Sequence, residues 1–120
     1  MLQFNPDANT ERDSDTRKDD ELYCSNCSKL ITRGRWRIER NDDHEHAVFN
    51  PAGQIFEIAC FKEAPGVGVI GQPSNEFTWF KGYHWQIGFC LNCNSHLGWQ
   101  YSGADIFFGL IKSKLTSRKS

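Results

Sequence analysis

The chain has 120 residues, which is enough for one domain with a modest hydrophobic core. Its net charge of −1 excludes the strongly basic balance that is typical of nucleic-acid binders. No apolar run approaches the ~20 residues that a membrane-spanning helix needs, and the polar N-terminus has no apolar signal segment. We therefore expect a cytoplasmic protein without a membrane partner.

The first segment, residues 1–21, is polar, with seven acidic and three basic residues and no hydrophobic periodicity. This composition buries too little apolar surface to fold, so it predicts a disordered tail. The ordered domain is expected over residues 22–115, and residues 116–120 are expected to form a polar C-terminal end.

Within the domain, short apolar and β-branched runs between turn residues predict β-strands. In one of them Phe56, Ile58 and Cys60 alternate on one face, and the segment Asn50–Gly53 before it predicts a tight turn. No long helical period occurs, so the class is mainly β. The predicted strands are Trp36–Glu39, His46–Phe49, Gln54–Phe61, Val67–Ile70, Tyr83–Phe89, Leu97–Tyr101 and Ile106–Ile111.

Four of the five cysteines form two C-x-x-C pairs, Cys24 with Cys27 and Cys90 with Cys93. An odd cysteine count in a chain without a signal segment indicates metal binding rather than disulfides. Two such turns supply four thiolates, a closed tetrahedral shell that suits one structural Zn²⁺ and leaves no open position for catalysis. An iron centre with the same ligands and a redox dithiol are the alternatives.

Two basic residues bear on this metal site, and the fifth cysteine lies outside it. Lys29 and Arg33 are candidates for moderating the negative charge of the four thiolates. Cys60, the fifth cysteine, lies on the apolar face of its predicted strand, and we expect a buried core thiol rather than a reactive one.

A dense aromatic segment, Phe77–Trp85, precedes the second cysteine pair, and Trp99 and Tyr101 follow it. Because a metal between the pairs would hold both flanks in place, the two aromatic groups can converge. One interpretation is that the rings fill a small core. The other is a pocket whose ring faces hold a cation or a flat neutral ring, with Gly82 and Gly98 allowing close backbone approach.

These residues resemble the thalidomide-binding domain of cereblon, called the CULT domain, over about Tyr23–Leu115. The resemblance implies a free-standing, single-domain bacterial member of that group. It also implies the β-tent fold, in which two antiparallel sheets meet at a steep angle and are pinned by the Cys₄ zinc site. The motifs that carry it are Pro73-Ser74, Trp79-Phe80-x-Gly82-Tyr83-x-Trp85, Cys90-x-x-Cys93, Ser95-His96-x-Gly98-Trp99 and Phe108-Gly109-Leu110.

The resemblance further implies a non-enzymatic domain that binds cyclic imides, such as the glutarimide of thalidomide-type drugs, uridine-like rings and cyclic-imide ends of damaged proteins. Three tryptophans and Tyr101, which replaces a Phe of animal cereblons, would wall the site. The carbonyl of Phe77 would accept the imide N–H, and the N–H of Trp79 would donate to a ring carbonyl. The implied ligand-binding residues are Asn50, Pro51, Phe56, Phe77, Thr78, Trp79, Trp85, Trp99 and Tyr101.

Two departures from the family limit what the resemblance implies. Phe77 stands where animal cereblons carry His, so a backbone contact is retained and a side-chain role is not. The chain has no room for the N-terminal domain that docks animal cereblon on a ubiquitin-ligase adaptor, so we expect no adaptor site and no ligase role.

Three other functions fit parts of the sequence. A methyl-lysine reader would use the same aromatic cage, with Glu76 as the counter-charge. A B-type methionine sulfoxide reductase shares the β-tent and the paired zinc turns, but it needs a later reactive cysteine, and none follows Cys93. A zinc ribbon that binds nucleic acid would use basic residues, namely Lys29, Arg33, Arg35, Arg37 and Arg40.

The four histidines do not form a convincing nucleophile or metal set. We expect them at the surface or in turn hydrogen bonds; they are His44, His46, His84 and His96.

Overall fold

The computed structural model describes residues 20–49, 52–76 and 78–117. Over these residues the chain forms nine β-strands and two single-turn 3₁₀ helices, with no α-helix. The 3₁₀ helices span Gly34–Trp36 and Lys112–Lys114. The strands are β1 Glu21–Cys24, β2 Leu30–Arg33, β3 Glu45–Phe49, β4 Ile55–Phe61, β5 Val67–Ser74, β6 His84–Cys90, β7 His96–Ser102, β8 Ile106–Ile111 and β9 Leu115–Thr116.

The strands form two antiparallel sheets, one of three strands in the order β2-β1-β9 and one of six in the order β3-β4-β8-β7-β6-β5. The predicted mainly β fold with two antiparallel sheets is confirmed. In the larger sheet Trp85 lies opposite Tyr101, and Ile87 lies opposite Trp99. Opposite residues share a face, as do alternate residues along a strand. Trp85, Trp99 and Tyr101 therefore lie on one face of the six-stranded sheet.

Each face of the larger sheet covers its own hydrophobic core. Between the two sheets, Cys24 and Ile31 from the small sheet pack with Phe61 and Leu110 from the large one. On the opposite face, a second core packs beneath the segment that joins β5 to β6, and its buried members include Ile58, Phe80, Trp99, Tyr101 and Phe107. Burial on both faces explains the long apolar runs in these strands.

Six of the seven predicted strands are confirmed, although β5 continues to Ser74. The strand predicted at Trp36–Glu39 is wrong. The chain turns there as a 3₁₀ helix, in which the N–H of Arg37 donates to the carbonyl of Gly34, and only Arg37 then forms an isolated bridge, with Phe61. The small sheet was not predicted at all, because strands of two and four residues are too short to show a period of two.

Most of the predicted tail (1–21) and of the predicted C-terminal end (116–120) lies outside the described residues, as do two residues of the predicted turn at 50–53. The first strand begins at Glu21 and the last ends at Thr116. The described ranges contain no helix with the length and apolarity that a membrane crossing requires.

Candidate functional site

The paired cysteines lie on two equivalent turns, one after β1 and one after β6. In the first turn the N–H of Ser28 donates to the carbonyl of Cys24, and in the second the N–H of Asn94 donates to the carbonyl of Cys90, each at 2.8 Å. Ser28 and Asn94 both have a left-handed backbone, with φ of 69° and 65°. The same local conformation therefore closes both turns and points the thiols of each turn toward the other.

The four sulfur atoms form one cluster, in which all lie within 4.8 Å of one another. The distance is 3.7 Å between the Sγ atoms of Cys24 and Cys93, and 3.6 Å between those of Cys27 and Cys90. A tetrahedral ion with metal–sulfur bonds of ~2.3 Å has sulfur–sulfur edges of about 3.8 Å, far longer than a disulfide. The cluster therefore fits the ligand shell of one metal ion.

Two asparagine side chains lower the pKa of cysteines across this cluster. The side-chain amide of Asn26, together with Ser95, lowers the pKa of the Cys93 thiol to about 5. The side-chain amide of Asn92 lowers the pKa of the Cys27 thiol. These donors favour the thiolate form that metal binding requires.

The two cysteines at the strand ends are more deeply placed. Burial raises the pKa of the Cys24 thiol, and it raises that of Cys90 to about 11. Of the two cations considered as charge partners, Arg33 forms an ion pair with Glu21 at 3.0 Å. Lys29 acts through its backbone, which forms a hydrogen bond that helps to lower the pKa of Cys27.

The three predicted wall tryptophans converge on one face of the larger sheet. Trp85 and Trp99 come from β6 and β7, and Trp79 comes from the segment between β5 and β6. The rings of Trp79 and Trp99 are perpendicular, at 88°, with centroids 4.9 Å apart. Trp79 and Trp85 are half-buried against the same core, whereas Trp99 is only 8% exposed. The three indoles thus form one aromatic group with accessible surface.

Hydrogen bonds to backbone carbonyls hold two of these indoles in place. Nε1 of Trp79 donates to the carbonyl of Phe49 at 2.9 Å, and Nε1 of Trp85 donates to the carbonyl of Glu76 at 2.7 Å. Because both indole N–H groups are used within the protein, the rings offer a ligand their faces. The backbone N–H of Trp79, by contrast, donates to no acceptor among the described residues.

The ring of Phe80 packs the segment between β5 and β6 against the larger sheet. The sequence analysis did not predict this role. The buried ring of Phe80 contacts Tyr101 and Phe107 edge-on, with centroids 4.8 and 5.1 Å away. Its N–H donates to the hydroxyl of Thr78, and its carbonyl accepts from the N–H of Tyr83. The only signal in the sequence was its place in the aromatic segment, where any of several rings could have been the buried one.

The other predicted ligand-binding residues fall into four groups. Thr78 lies in the segment between β5 and β6, where its hydroxyl accepts from the N–H of Phe80. Tyr101 is completely buried and stacks on Phe107 at 5.0 Å, so it lies behind the surface of the site. Phe56 is half-buried beside Trp99, with ring centroids 5.4 Å apart. The remaining three, Asn50, Pro51 and Phe77, lie outside the described residues.

His96, which the sequence predicted at the surface or in a turn hydrogen bond, contacts the aromatic group directly. Its ring meets Trp99 edge-on at 4.9 Å, and its Nε2 lies 3.0 Å from the carbonyl of Gly98. Since a carbonyl can only accept, Nε2 carries the proton. Burial lowers the pKa of His96, which favours the neutral ring with Nδ1 as an acceptor. The motif Ser95-His96-x-Gly98-Trp99 contained this residue without indicating the contact.

Cys60 was considered as a reactive thiol, and five basic residues were considered as a nucleic-acid site. Most of these residues have structural roles. Cys60 is completely buried, and burial raises the pKa of its thiol to about 11, which confirms the core-thiol prediction. Three of the five basic residues proposed for nucleic-acid binding are engaged in ion pairs with carboxylates: Arg33 with Glu21, Arg35 with Asp20 and Arg40 with Asp105.

Comparison with curated proteins finds relatives that share one name, "Protein cereblon". The protein of Drosophila grimshawi is 30% identical over an alignment 108 residues long, which covers 82% of this chain and 16% of that protein. The protein of Danio rerio is 39% identical over an alignment 75 residues long, which covers 58% of this chain and 17% of that protein. The protein of Drosophila melanogaster is 30% identical over an alignment 121 residues long, which covers 88% of this chain and 20% of that protein.

This chain therefore spans at most a fifth of the length of these three relatives. No family model matches it.

Proposed function

We propose that this chain, which is a cereblon-like CULT domain, binds cyclic imides without catalysis in a site walled by Trp79, Trp85 and Trp99. The observation that carries the proposal is the right angle between the rings of Trp79 and Trp99, with the indole N–H of Trp79 bonded to the carbonyl of Phe49. Such a corner offers two flat apolar faces to a small flat ring. Ring faces of this kind stabilise a ligand by packing, and a few polar groups then orient it.

The polar groups of an imide need backbone partners at this site. An imide carries one N–H between two carbonyls, and the backbone N–H of Trp79, which has no acceptor among the described residues, is available to donate to one carbonyl. We assign the acceptor of the imide N–H to the carbonyl of Phe77. An imide polar group that is buried without a partner costs about 1–3 kcal/mol, so these two contacts would select imides from other flat rings.

We further propose that the ion at the four cysteines is Zn²⁺ and that its role is structural. Four thiolates at nearly tetrahedral spacing leave no position for a substrate. The cluster joins the end of β1 in the small sheet to the end of β6 in the large one, and β6 also carries Trp85. An iron ion would use the same ligands, and metal analysis of the purified protein separates the two.

The methyl-lysine alternative lacks a suitable anion in the described part of the site. Glu76, its candidate counter-charge, is an exposed residue whose backbone carbonyl, rather than its carboxylate, contacts Trp85. A cation in an aromatic cage gains most where it is desolvated beside ring faces, commonly with a nearby negative charge. A neutral ligand therefore fits this site better than a methylated lysine.

We also propose a cytoplasmic location, without a membrane or nucleic-acid partner.

Titration calorimetry with three probes tests the function. We expect glutarimide to bind and to change the tryptophan fluorescence. N-methylglutarimide, which lacks the imide N–H, should bind at least tenfold more weakly. A trimethyl-lysine peptide should not bind. Absence of glutarimide binding to folded, metal-loaded protein would overturn the proposal, and so would preferential binding of the trimethyl-lysine peptide.

A further inference from the structure

A groove of about 540 Å³ opens beside the aromatic site. Its lining includes Ile55, Phe56 and Glu57 of β4, His96 at the start of β7, and Lys114 of the second 3₁₀ helix. Apart from Phe56, none of these residues belongs to the ligand site proposed above.

The groove exists because β8 does not pair with the first three residues of β4. β3 pairs with β4 from Ile55 onward, whereas β8 pairs with β4 only from Ile58, which lies opposite Ile111. After Ile111 the chain enters the 3₁₀ helix Lys112–Lys114 and continues into β9 of the other sheet. The segment Ile55–Glu57 therefore has a strand on one side and the groove on the other.

The groove adjoins the aromatic site at two residues that contact Trp99. Two of its wall residues, Phe56 and His96, both contact the ring of Trp99, with centroids 5.4 and 4.9 Å away. A ligand held at the aromatic site would therefore reach the groove across the side chains of Phe56 and His96. Ile55, which is 68% exposed, adds apolar surface at the groove, and Glu57 and Lys114 place one charge of each sign there.

We propose that this groove binds the two or three residues that precede a cyclic imide at the end of a polypeptide, as a short strand added to β4 beside Ile55–Glu57. The inference rests on the proposed imide-binding function and names a polypeptide end as the ligand class. Three extended residues span about 10 Å, which matches the three-residue segment left without a β8 partner. Strand addition recognises main-chain groups, so a varied sequence before the imide is accepted while the imide supplies specificity.

Calorimetry with three ligands that end in the same glutarimide ring tests this assignment. The first is N-acetyl-3-aminoglutarimide, and the second is an alanine tripeptide joined to 3-aminoglutarimide. The third is that peptide with N-methyl groups on the amides between its alanines. We expect the plain peptide to bind about tenfold more tightly than the acetyl compound, the effect of roughly two net hydrogen bonds. N-methylation should remove this gain, because it blocks pairing along a strand.

Amide hydrogen exchange of the complexes locates the added strand. The plain peptide, and not the acetyl compound, should protect amides within Ile55–Glu57. Val67–Ile70 of β5 is the matched control, since β5 is the outermost strand at the other end of the sheet. Equal affinity of the peptide and the acetyl compound would overturn the groove assignment and leave imide binding intact, as would protection confined to Val67–Ile70. If the acetyl compound itself fails to bind, the proposed function fails first, and the groove assignment falls with it.

Discussion

Asn26 and Asn92 occupy the same position in the two cysteine turns, and each side chain lowers the pKa of the second cysteine of the opposite turn. This exchange favours the thiolate forms of Cys27 and Cys93, which metal binding requires. Groups next to metal ligands tune both the orientation of the ligands and the affinity for the metal.

The first prediction concerns this exchange. Asn92→Ala removes the donor to Cys27, and we expect the affinity for Zn²⁺ to fall by about 10- to 100-fold while the domain still folds at saturating metal. Competition with a chromophoric chelator measures the change. Asn75→Ala, at an exposed position away from the cysteines, is the control and should leave the affinity unaltered. Equal affinities in the two variants would contradict a role for the exchange.

Removal of the metal should unfold the domain. A metal ion bound at the sulfur cluster would link the two sheets of this small protein, and metal binding at such sites supplies folding free energy. We expect about one zinc ion per chain by elemental analysis, and loss of the cooperative thermal transition after chelation or in Cys93→Ser. Cys60→Ala, at the cysteine outside the cluster, should retain the metal. A Cys93→Ser protein with unchanged metal content would show that the cluster is not the binding site.

Each wall tryptophan should contribute to imide affinity. Trp79→Ala, Trp85→Ala and Trp99→Ala should each weaken glutarimide binding at least tenfold, or about 1.4 kcal/mol, because each removes one ring face from the site. Trp36→Ala, in the first 3₁₀ helix, is the matched control and should bind normally. Calorimetry measures the affinities after circular dichroism has verified folding. A folded Trp85→Ala variant with unchanged affinity would remove Trp85 from the site.

Loss of the hydroxyl group should change the free energy of unfolding in opposite directions at Tyr101, which is buried, and at Tyr83, which is half-buried. The hydroxyl of Tyr101 is buried without a partner among the described residues, whereas that of Tyr83 donates to the carboxylate of Asp105 at 2.5 Å. Tyr101→Phe should therefore raise the free energy of unfolding by about 1 kcal/mol, and Tyr83→Phe should lower it by about 1 kcal/mol. Urea denaturation measures both changes. A less stable Tyr101→Phe protein would indicate an ordered water bonded to that hydroxyl.

Gly98 should not tolerate a side chain. Its φ is +149°, and a Cβ atom would lie 2.1 Å from the carbonyl oxygen of Gly109 on the neighbouring strand. Gly98→Ala should therefore cost more than about 3 kcal/mol or prevent folding. Gly53→Ala is the comparison, because Gly53 has a φ of +87° with open space around it, and only the backbone cost of about 1–2 kcal/mol applies. Similar losses in both variants would rule out the steric explanation.

The sequence was sufficient for features that depend on a few adjacent residues. Two C-x-x-C turns predicted the sulfur cluster, because that spacing brings two thiols together within one turn. Alternating apolar residues predicted β4, since a strand with one buried face repeats every two residues. The same reasoning failed for the small sheet, where four-residue strands around Cys24 and Cys27 leave no repeat to recognise.

Only the tertiary structure decided which aromatic rings meet and which are buried. The place of Trp79 beside Trp99 depends on Phe80 packing against Tyr101 and on a hydrogen bond to Phe49, a residue thirty positions away. The groove beside Ile55 depends on where β8 turns away from β4. Contacts of this kind arise from the register between distant strands, and strand register follows from packing of the whole core rather than from the local spacing of residues.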